Sequence, residues 1–157
     1  MNLKNIITTL SFLLLLSCGY EAIHSKKQIN SNYNFSINTI NLIGDNKVNQ
    51  ILKNKLKKYL NKEEISTEFN LNLNSRIVKT ITSKDKKSNP KRFLIKIIID
   101  LEVFENEILK GKNKFEEKFE YNNKSNKFDL KQYEKNITDN LISQLSDKIN
   151  RYLNSIK

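Results

Sequence analysis

The chain has little of most residues that catalysis relies on. Among its 157 residues there is one cysteine (Cys18), one histidine (His24), one proline (Pro90), three glycines and no tryptophan. A lone cysteine excludes a disulfide framework and a cysteine-built metal site. His24 lies in a polar stretch and reads as solvated, and no histidine follows it to serve as a base or ligand. Three glycines cannot furnish a Gly-rich phosphate loop, and neither G-x-S-x-G nor H-E-x-x-H occurs. The acidic pairs Glu63-Glu64 and Glu116-Glu117 fall at a helix end and in a strand, where they read as solvated charges and not as a carboxylate dyad. The expectation is a protein that is not an enzyme, with no metal and no cofactor. Long apolar runs are missing too. The run over residues 6–16 is about half of the ~20 residues a spanning helix needs, so it reads as a removable signal and not as an anchor.

What is present begins with that run. Lys4 gives a positive start, the apolar stretch follows, and Leu15-Leu16-Ser17-Cys18 closes it with a small residue before the cysteine. This segment resembles a bacterial lipobox, at which the chain is cut before a cysteine that carries lipid. A thiol is a natural nucleophile for a thioether to a glyceride, and acylation of the new amino terminus adds a further chain such as palmitate. Two or more chains hold a protein stably on a bilayer where one does so marginally. The expected organisation is therefore a signal peptide over residues 1–17, a lipidated terminus and polar tether over 18–34, and a single domain over 35–157.

The formal charge is +11, and removal of Lys4 with the signal leaves +10. Such a balance favours anionic partners. Arginine appears only as Arg76, Arg92 and Arg151, and the abundance of Lys, Asn and Ile also fits drift from an AT-rich genome. The position of the charge therefore carries more than its sum. For a lipoprotein outside the inner membrane the anionic partners are lipid and phosphorylated glycolipid. Nucleic acid is not expected, because Phe and Tyr fall at core spacings and no RNA-binding aromatic signature is present.

Along the domain, residues 35–43 read as a first strand and Asp45 as the cap of a helix over 46–61. Val48, Ile51, Leu52, Leu56, Tyr59 and Leu60 form that helix's apolar face. Residues 68–82 alternate Phe69, Leu71 and Leu73 with Asn70, Asn72 and Asn74, a strand with one wet face. Pro90 breaks the pattern and would sit poorly inside a central strand. Residues 92–105 form the most apolar strand, with Phe93, Ile95, Ile97, Ile99, Leu101 and Val103 on one face. A fourth strand spans about 107–121, with Gly111 marking a bulge, and a long helix covers 129–155. The fold class is α+β: a two-layer sandwich in βαβββα order, a four-stranded sheet covered by two helices.

This order, the start Cys18-Gly19-Tyr20, and the passage Phe119-Glu120-Tyr121-Asn122, Asn126-Lys127-Phe128-Asp129 and Tyr133-Glu134 into the last helix together resemble the LPS-assembly lipoprotein family LptE. The chain lacks the proline-containing segment often seen soon after that family's Cys-Gly-aromatic start. The resemblance implies a non-enzymatic lipoprotein of the outer membrane. It would plug the lumen of a large β-barrel, LptD, help it assemble, and bind lipopolysaccharide. Gly19 as second mature residue fits passage to the outer membrane.

An antiparallel meander of strands two to four would crowd Lys84, Lys86, Lys87, Lys91, Arg92, Lys124 and Lys127 at one tip, with Lys47 near it and only Asp85 and Asp129 as local offsets. Cations bind phosphate as point charges or as a two-point guanidinium fork. Lys87, Lys91 and Arg92 lead the candidates for glycolipid phosphate, with Lys84, Lys124 and Lys127 beside them. The competing reading is a solvated loop rich in Lys by composition. On the side of function, the alternatives are an outer-membrane lipoprotein scaffolding another envelope complex without a glycolipid site, and a periplasmic lipid carrier with an apolar cavity.

Overall fold

The two periodicities resolve into six elements. In the computed structural model, which describes residues 34–62 and 65–156, these are β1 (Ser36–Gly44), α1 (Asn46–Leu56), β2 (Glu68–Lys84), β3 (Pro90–Glu105), β4 (Ile108–Asn122) and α2 (Lys127–Ser155). The signal peptide, Cys18, His24 and the Glu63-Glu64 pair lie outside the described residues. The strands form one sheet in the order β1-β2-β3-β4, parallel between β1 and β2 and antiparallel elsewhere. Both helices pack on one face, giving the two-layer α+β arrangement.

The strict alternation of β2 and β3 builds that layer. Phe69, Leu71 and Leu73 from β2 and Ile97, Ile99, Leu101 and Val103 from β3 are buried against Leu52 and Leu56 of α1 and Leu141, Ile142, Leu145 and Ile149 of α2. Full burial of such side chains stabilises by about 1.5–3 kcal/mol each. Asp45 caps α1 as expected, its carboxylate accepting the Val48 N–H at 3.0 Å. The helix stops at Leu56, short of residue 61. A 3-10 turn over Lys57–Tyr59 follows, and the tighter winding swings the Tyr59 ring inward to 5.4 Å from Phe35. The chain then returns alongside β1, with Asn61 donating its N–H to Ile37.

Pro90 opens β3 and is not interior to it, a place where a missing N–H is tolerated. The anticipated bulge sits beside Gly111, where the β3–β4 register shifts after Val103. The last helix begins two residues earlier than the apolar stripe suggests. Asn126 caps it, accepting from the N–H groups of Phe128 and Asp129 at 2.9 and 3.4 Å.

The other face of the sheet carries no helix among the described residues. Its charges pair across strands: Arg76 with Asp100 at 3.2 Å, Lys96 with Glu116 at 3.0 Å, and Lys112 with Glu102 at 2.7 Å. Ile98 lies between the register partners Arg76 and Glu116, outside the main core. It is only 8% exposed, because the stems of these paired side chains cover it.

Most consequential for the surface is where β1 ends. Gly44 lies opposite Ser75, at φ 99°. Asp45 donates its N–H to the Ser75 carbonyl at 3.0 Å, and the buried Ser75 hydroxyl donates to the Asn49 side chain at 2.7 Å. α1 therefore starts halfway along β2, and β2 runs on to Lys84 without a neighbour on that edge.

A Cβ at Gly44 would overlap the Ser75 carbonyl oxygen, and the positive φ is strained for any other residue. Gly44→Ala should lower stability by about 2–3 kcal/mol, read as the shift in the urea unfolding midpoint. Ile43→Ala, at an exposed neighbouring position, should move it by less than about 0.5 kcal/mol.

Candidate functional site

The β2–β3 connection is a built turn. The Asp85 carboxylate accepts the N–H groups of Lys87 and Asn89 at 2.8 and 2.9 Å and the Asn89 carboxamide at 3.2 Å. Ser88 turns the chain at φ 65°. The hydrogen bonds from Asn89 hold the Asp85 carboxyl below its usual pKa, with Lys87 and Lys91 adding to the effect. Lys84, Lys86, Lys87 and Lys91 are exposed around this turn.

The β4–α2 connection reaches the same end. Asn123 donates its N–H to the Lys91 carbonyl and its side-chain N–H to the Pro90 carbonyl, both at 2.8 Å. The expected meeting of residues 84–92 with Lys124 and Lys127 is thus found. The pleat, however, divides the leading candidates. Strand alternation puts Lys91 on the helix-bearing face with Phe93 and puts Arg92 on the opposite face. There Arg92 sits 3.8 Å from Glu120, whose carboxylate also accepts the Thr82 hydroxyl at 2.6 Å. Lys91 and Arg92 cannot act as one clamp. α1 starts beside Ser75, roughly 30 Å of extended strand short of Lys84, so Lys47 lies away from the β2–β3 turn but lines one hollow with Phe128 and Lys131 at the start of α2.

Between α1 and the tip, the helix-facing side of β2 and β3 is covered only by the first turns of α2. Two adjoining hollows result. One, of about 460 Å³, has Ile77 and Ile95 on its floor, Phe128 on its wall and Lys47, Lys131 and Lys135 at its rim. The other, of about 520 Å³, lies over Phe93 and is bordered by Lys124, Lys127 and Leu130. Lys131 and Glu134 line both. Phe128 is 75% exposed, the most exposed large apolar residue described.

Glu134 ties this region together. Its Oε1 accepts Lys79 Nζ at 2.6 Å and the Tyr121 hydroxyl at 2.7 Å. Lys79 Nζ lies 4.4 Å from the Phe93 ring centre, Phe93 stacks on Tyr121 at 5.6 Å, and Lys124 lies 4.5 Å over Tyr133. Burial, then the bond to Glu134, pushes the Tyr121 hydroxyl well above its ordinary pKa, so it stays protonated and donating. Glu134 is already engaged by Lys79, and Lys135 pairs with Asp139 at 3.5 Å. Among the described residues, no ion pair engages Lys47, Lys127 or Lys131. The arrangement can hold an anion beside an apolar surface. It offers no nucleophile with an adjacent base, and no group of three His, Cys, Asp or Glu side chains converges as metal ligands among the described residues.

Sequence reasoning placed the tip but missed Lys79, Lys131, Lys135 and Phe128. Their meeting depends on how far β2 outruns β1, which periodicity does not report.

No family model and no curated protein matches the sequence. The fold does have solved counterparts. Rare lipoprotein B from Shewanella oneidensis superposes with a TM-score of 0.56 at 12% identity, over 75% of this chain and 95% of that one. Lipoprotein B from Nitrosomonas europaea gives 0.57 at 7% identity, over 79% and 87%. A minor lipoprotein from Acinetobacter baumannii gives 0.55 at 12%, over 74% and 90%. At these identities the likeness is one of fold. No helix among the described residues is long and apolar enough to cross a membrane.

Two outcomes test this geometry. The Asp85 carboxyl accepts these bonds more strongly when ionised, and its folded pKa is lowered. Its contribution is therefore present above the usual carboxylate range and lost as pH falls through the lowered value. Amide-exchange protection at Lys87 and Asn89 should follow that course, and Asp85→Ala should abolish it at neutral pH. Glu134→Ala, which strands the Tyr121 hydroxyl, should cost about 2 kcal/mol in chemical denaturation, and Glu134→Gln less than about 1 kcal/mol.

Proposed function

We propose that this chain is an outer-membrane lipoprotein of the lipopolysaccharide-export machinery, anchored through lipid on Cys18. Its folded domain fills the lumen of a large LptD-like β-barrel and presents its basic end to phosphorylated glycolipid. It acts by shape and charge, without catalysis or cofactor. The observation that carries this reading is the βαβββα fold, shared with bacterial proteins described as lipoproteins, standing behind the Leu15-Leu16-Ser17-Cys18 segment. The ordered tip and the unpaired lysines beside it support the anionic ligand. The pairing of Arg92 with Glu120 favours a second reading, a scaffold of another envelope complex without a glycolipid site.

The test is a pull-down of the C-terminally tagged chain from detergent-solubilised envelopes, followed by mass spectrometry. A stoichiometric large β-barrel is expected, and its absence would favour the scaffold. In the same preparation, the triple variant Lys91→Glu, Lys124→Glu, Lys127→Glu should weaken lipopolysaccharide binding at least about tenfold, a loss of about 1.4 kcal/mol. Arg92→Glu alone should change it by less than about threefold, since that guanidinium already faces Glu120.

A further inference from the structure

Beyond Ser75, β2 is a sheet edge whose free backbone groups can be named. Asp45 donates its N–H to the Ser75 carbonyl, so that carbonyl points away from β3. Alternation turns the N–H and C=O groups of Ile77, Lys79 and Ile81 to the same side. The next strand agrees. Asn123 donates its N–H to the Lys91 carbonyl, so the backbone groups of Phe93, Ile95 and Ile97 face β4 and those of Leu94, Lys96 and Ile98 face β2. Arg76, Val78 and Thr80 lie opposite Ile98, Lys96 and Leu94 and direct their backbone groups to them. β1 ends at Gly44 and α1 turns back over the sheet, so the lane beside Ile77, Lys79 and Ile81 holds no strand among the described residues.

The usual protections of an edge are missing here among the described residues. Edge strands are commonly guarded by proline, by a bulge or by free charge. No proline lies between Arg76 and Ile81, and the β2–β3 register stays even as far as Ile81. The cations of this stretch are already neutralised, Arg76 by Asp100 at 3.2 Å and Lys79 by Glu134 at 2.6 Å. β-branched residues fill the rest, a composition that favours strand pairing. Val78 and Ile81 stand 42% and 45% exposed on opposite faces. Lys47, where α1 leaves the lane, and Lys84, at its far end, have no ion pair among the described residues.

We infer that this edge takes up an extended segment of a partner protein, which continues the sheet in the lane that β1 vacates. The unpaired groups ask for another backbone, because a polypeptide repeats N–H and C=O groups at the spacing of the strand. The flanking chemistry sets the side chains of that segment. Apolar residues at every second position lie on the helix-bearing face with Ile77 and Ile81, and acids toward its ends meet Lys47 and Lys84. A second copy is poorly matched. Its own β2 would set Arg76, Lys79 and Lys84 against their like, on chains that each carry a formal charge of +11. Residues 18–33 of this chain are poorly matched as well, with Lys26 and Lys27 against Glu21 alone. The inference goes beyond the function proposed above and requires neither a barrel nor a glycolipid.

The experiment is amide exchange, read by nuclear magnetic resonance, on the purified full chain in detergent with and without a synthetic strand. The probe is the capped peptide Asp-Thr-Val-Thr-Val-Thr-Val-Thr-Asp. Without it, the amides of Ile77, Lys79 and Ile81 should exchange freely while those of Arg76, Val78 and Thr80 are protected. With it, exchange of the first set should slow at least about tenfold and that of the second should change little, an alternation that contact with one face of the sheet does not produce. N-methylation of alternate peptide residues gives a second readout. Methylated valines should weaken binding at least about tenfold for an antiparallel strand, or methylated threonines for a parallel one, and the other set should cost less than about threefold. Ile81→Pro removes an edge-facing N–H and no bond to β3, and should weaken binding at least about tenfold. Lys47→Glu with Lys84→Glu should weaken it at least about threefold.

Equal slowing of both sets of amides, equal effects of the two methylated peptides, or no slowing at a peptide concentration of about 1 mM would overturn the added strand. If Ile77, Lys79 and Ile81 are already protected in the isolated chain at every concentration, the chain covers its own edge. If that protection grows with protein concentration, a second copy covers it. Either result overturns the partner strand. Should Ile81→Pro fail to fold, the methylated peptides still decide, since they leave the protein unchanged.

Discussion

The pairing of β2 with β3 is the constraint on which the remainder rests. β3 is paired on both sides along its length, and β2 is paired on both sides as far as Ser75 and by β3 alone beyond it. The buried alternation of β3 supplies the floor on which α1 and α2 sit. The same ladder runs past the helices to Lys84 and Pro90, which makes the tip an extension of the sheet and not an appended loop. The tip, the surface beside α2 and the core are thus parts of one ladder, whose register shifts only around Ser83, just before the turn.

Much of this was legible in the sequence, for identifiable reasons. Asp45 could be read as a cap because a carboxylate before an apolar helical stripe has one obvious use. Phe69 to Asn74 alternate so strictly that the wet and buried faces followed directly, and Gly111 marked the bulge. What failed was information that alternation and spacing do not contain. The end of α1 was placed too late because Tyr59 and Leu60 continue the apolar spacing, while their side chains are used by a tighter turn and a return beside β1. Lys91 and Arg92 are adjacent in sequence and therefore opposed across the pleat. A right-handed crossover from β1 to β2 gives the end at which α1 starts, but not how far β2 continues past it.

The two faces of the sheet divide the work. On the open face the charged side chains satisfy one another across strands, and even Ile98 is covered by them. On the helix-bearing face two of the four lysines of α2, Lys127 and Lys131, have no ion pair among the described residues, and they stand beside the exposed Phe128. The asymmetry comes from topology as much as composition: the helix layer is shorter than the sheet, and the lysines that matter are those at its margin.

The shortness of that layer has a single origin. Gly44 presses its bare α-carbon against the Ser75 carbonyl, and this contact decides where the parallel strand ends and where α1 turns back over the sheet. The extent of uncovered surface is therefore set by the length of β1, a strand that contributes nothing to that surface. Adding or removing a pair of residues before the glycine would keep the alternation in phase and slide the roof along a fixed floor. A related protein could thus accommodate a longer or shorter occupant while every residue touching it stayed the same.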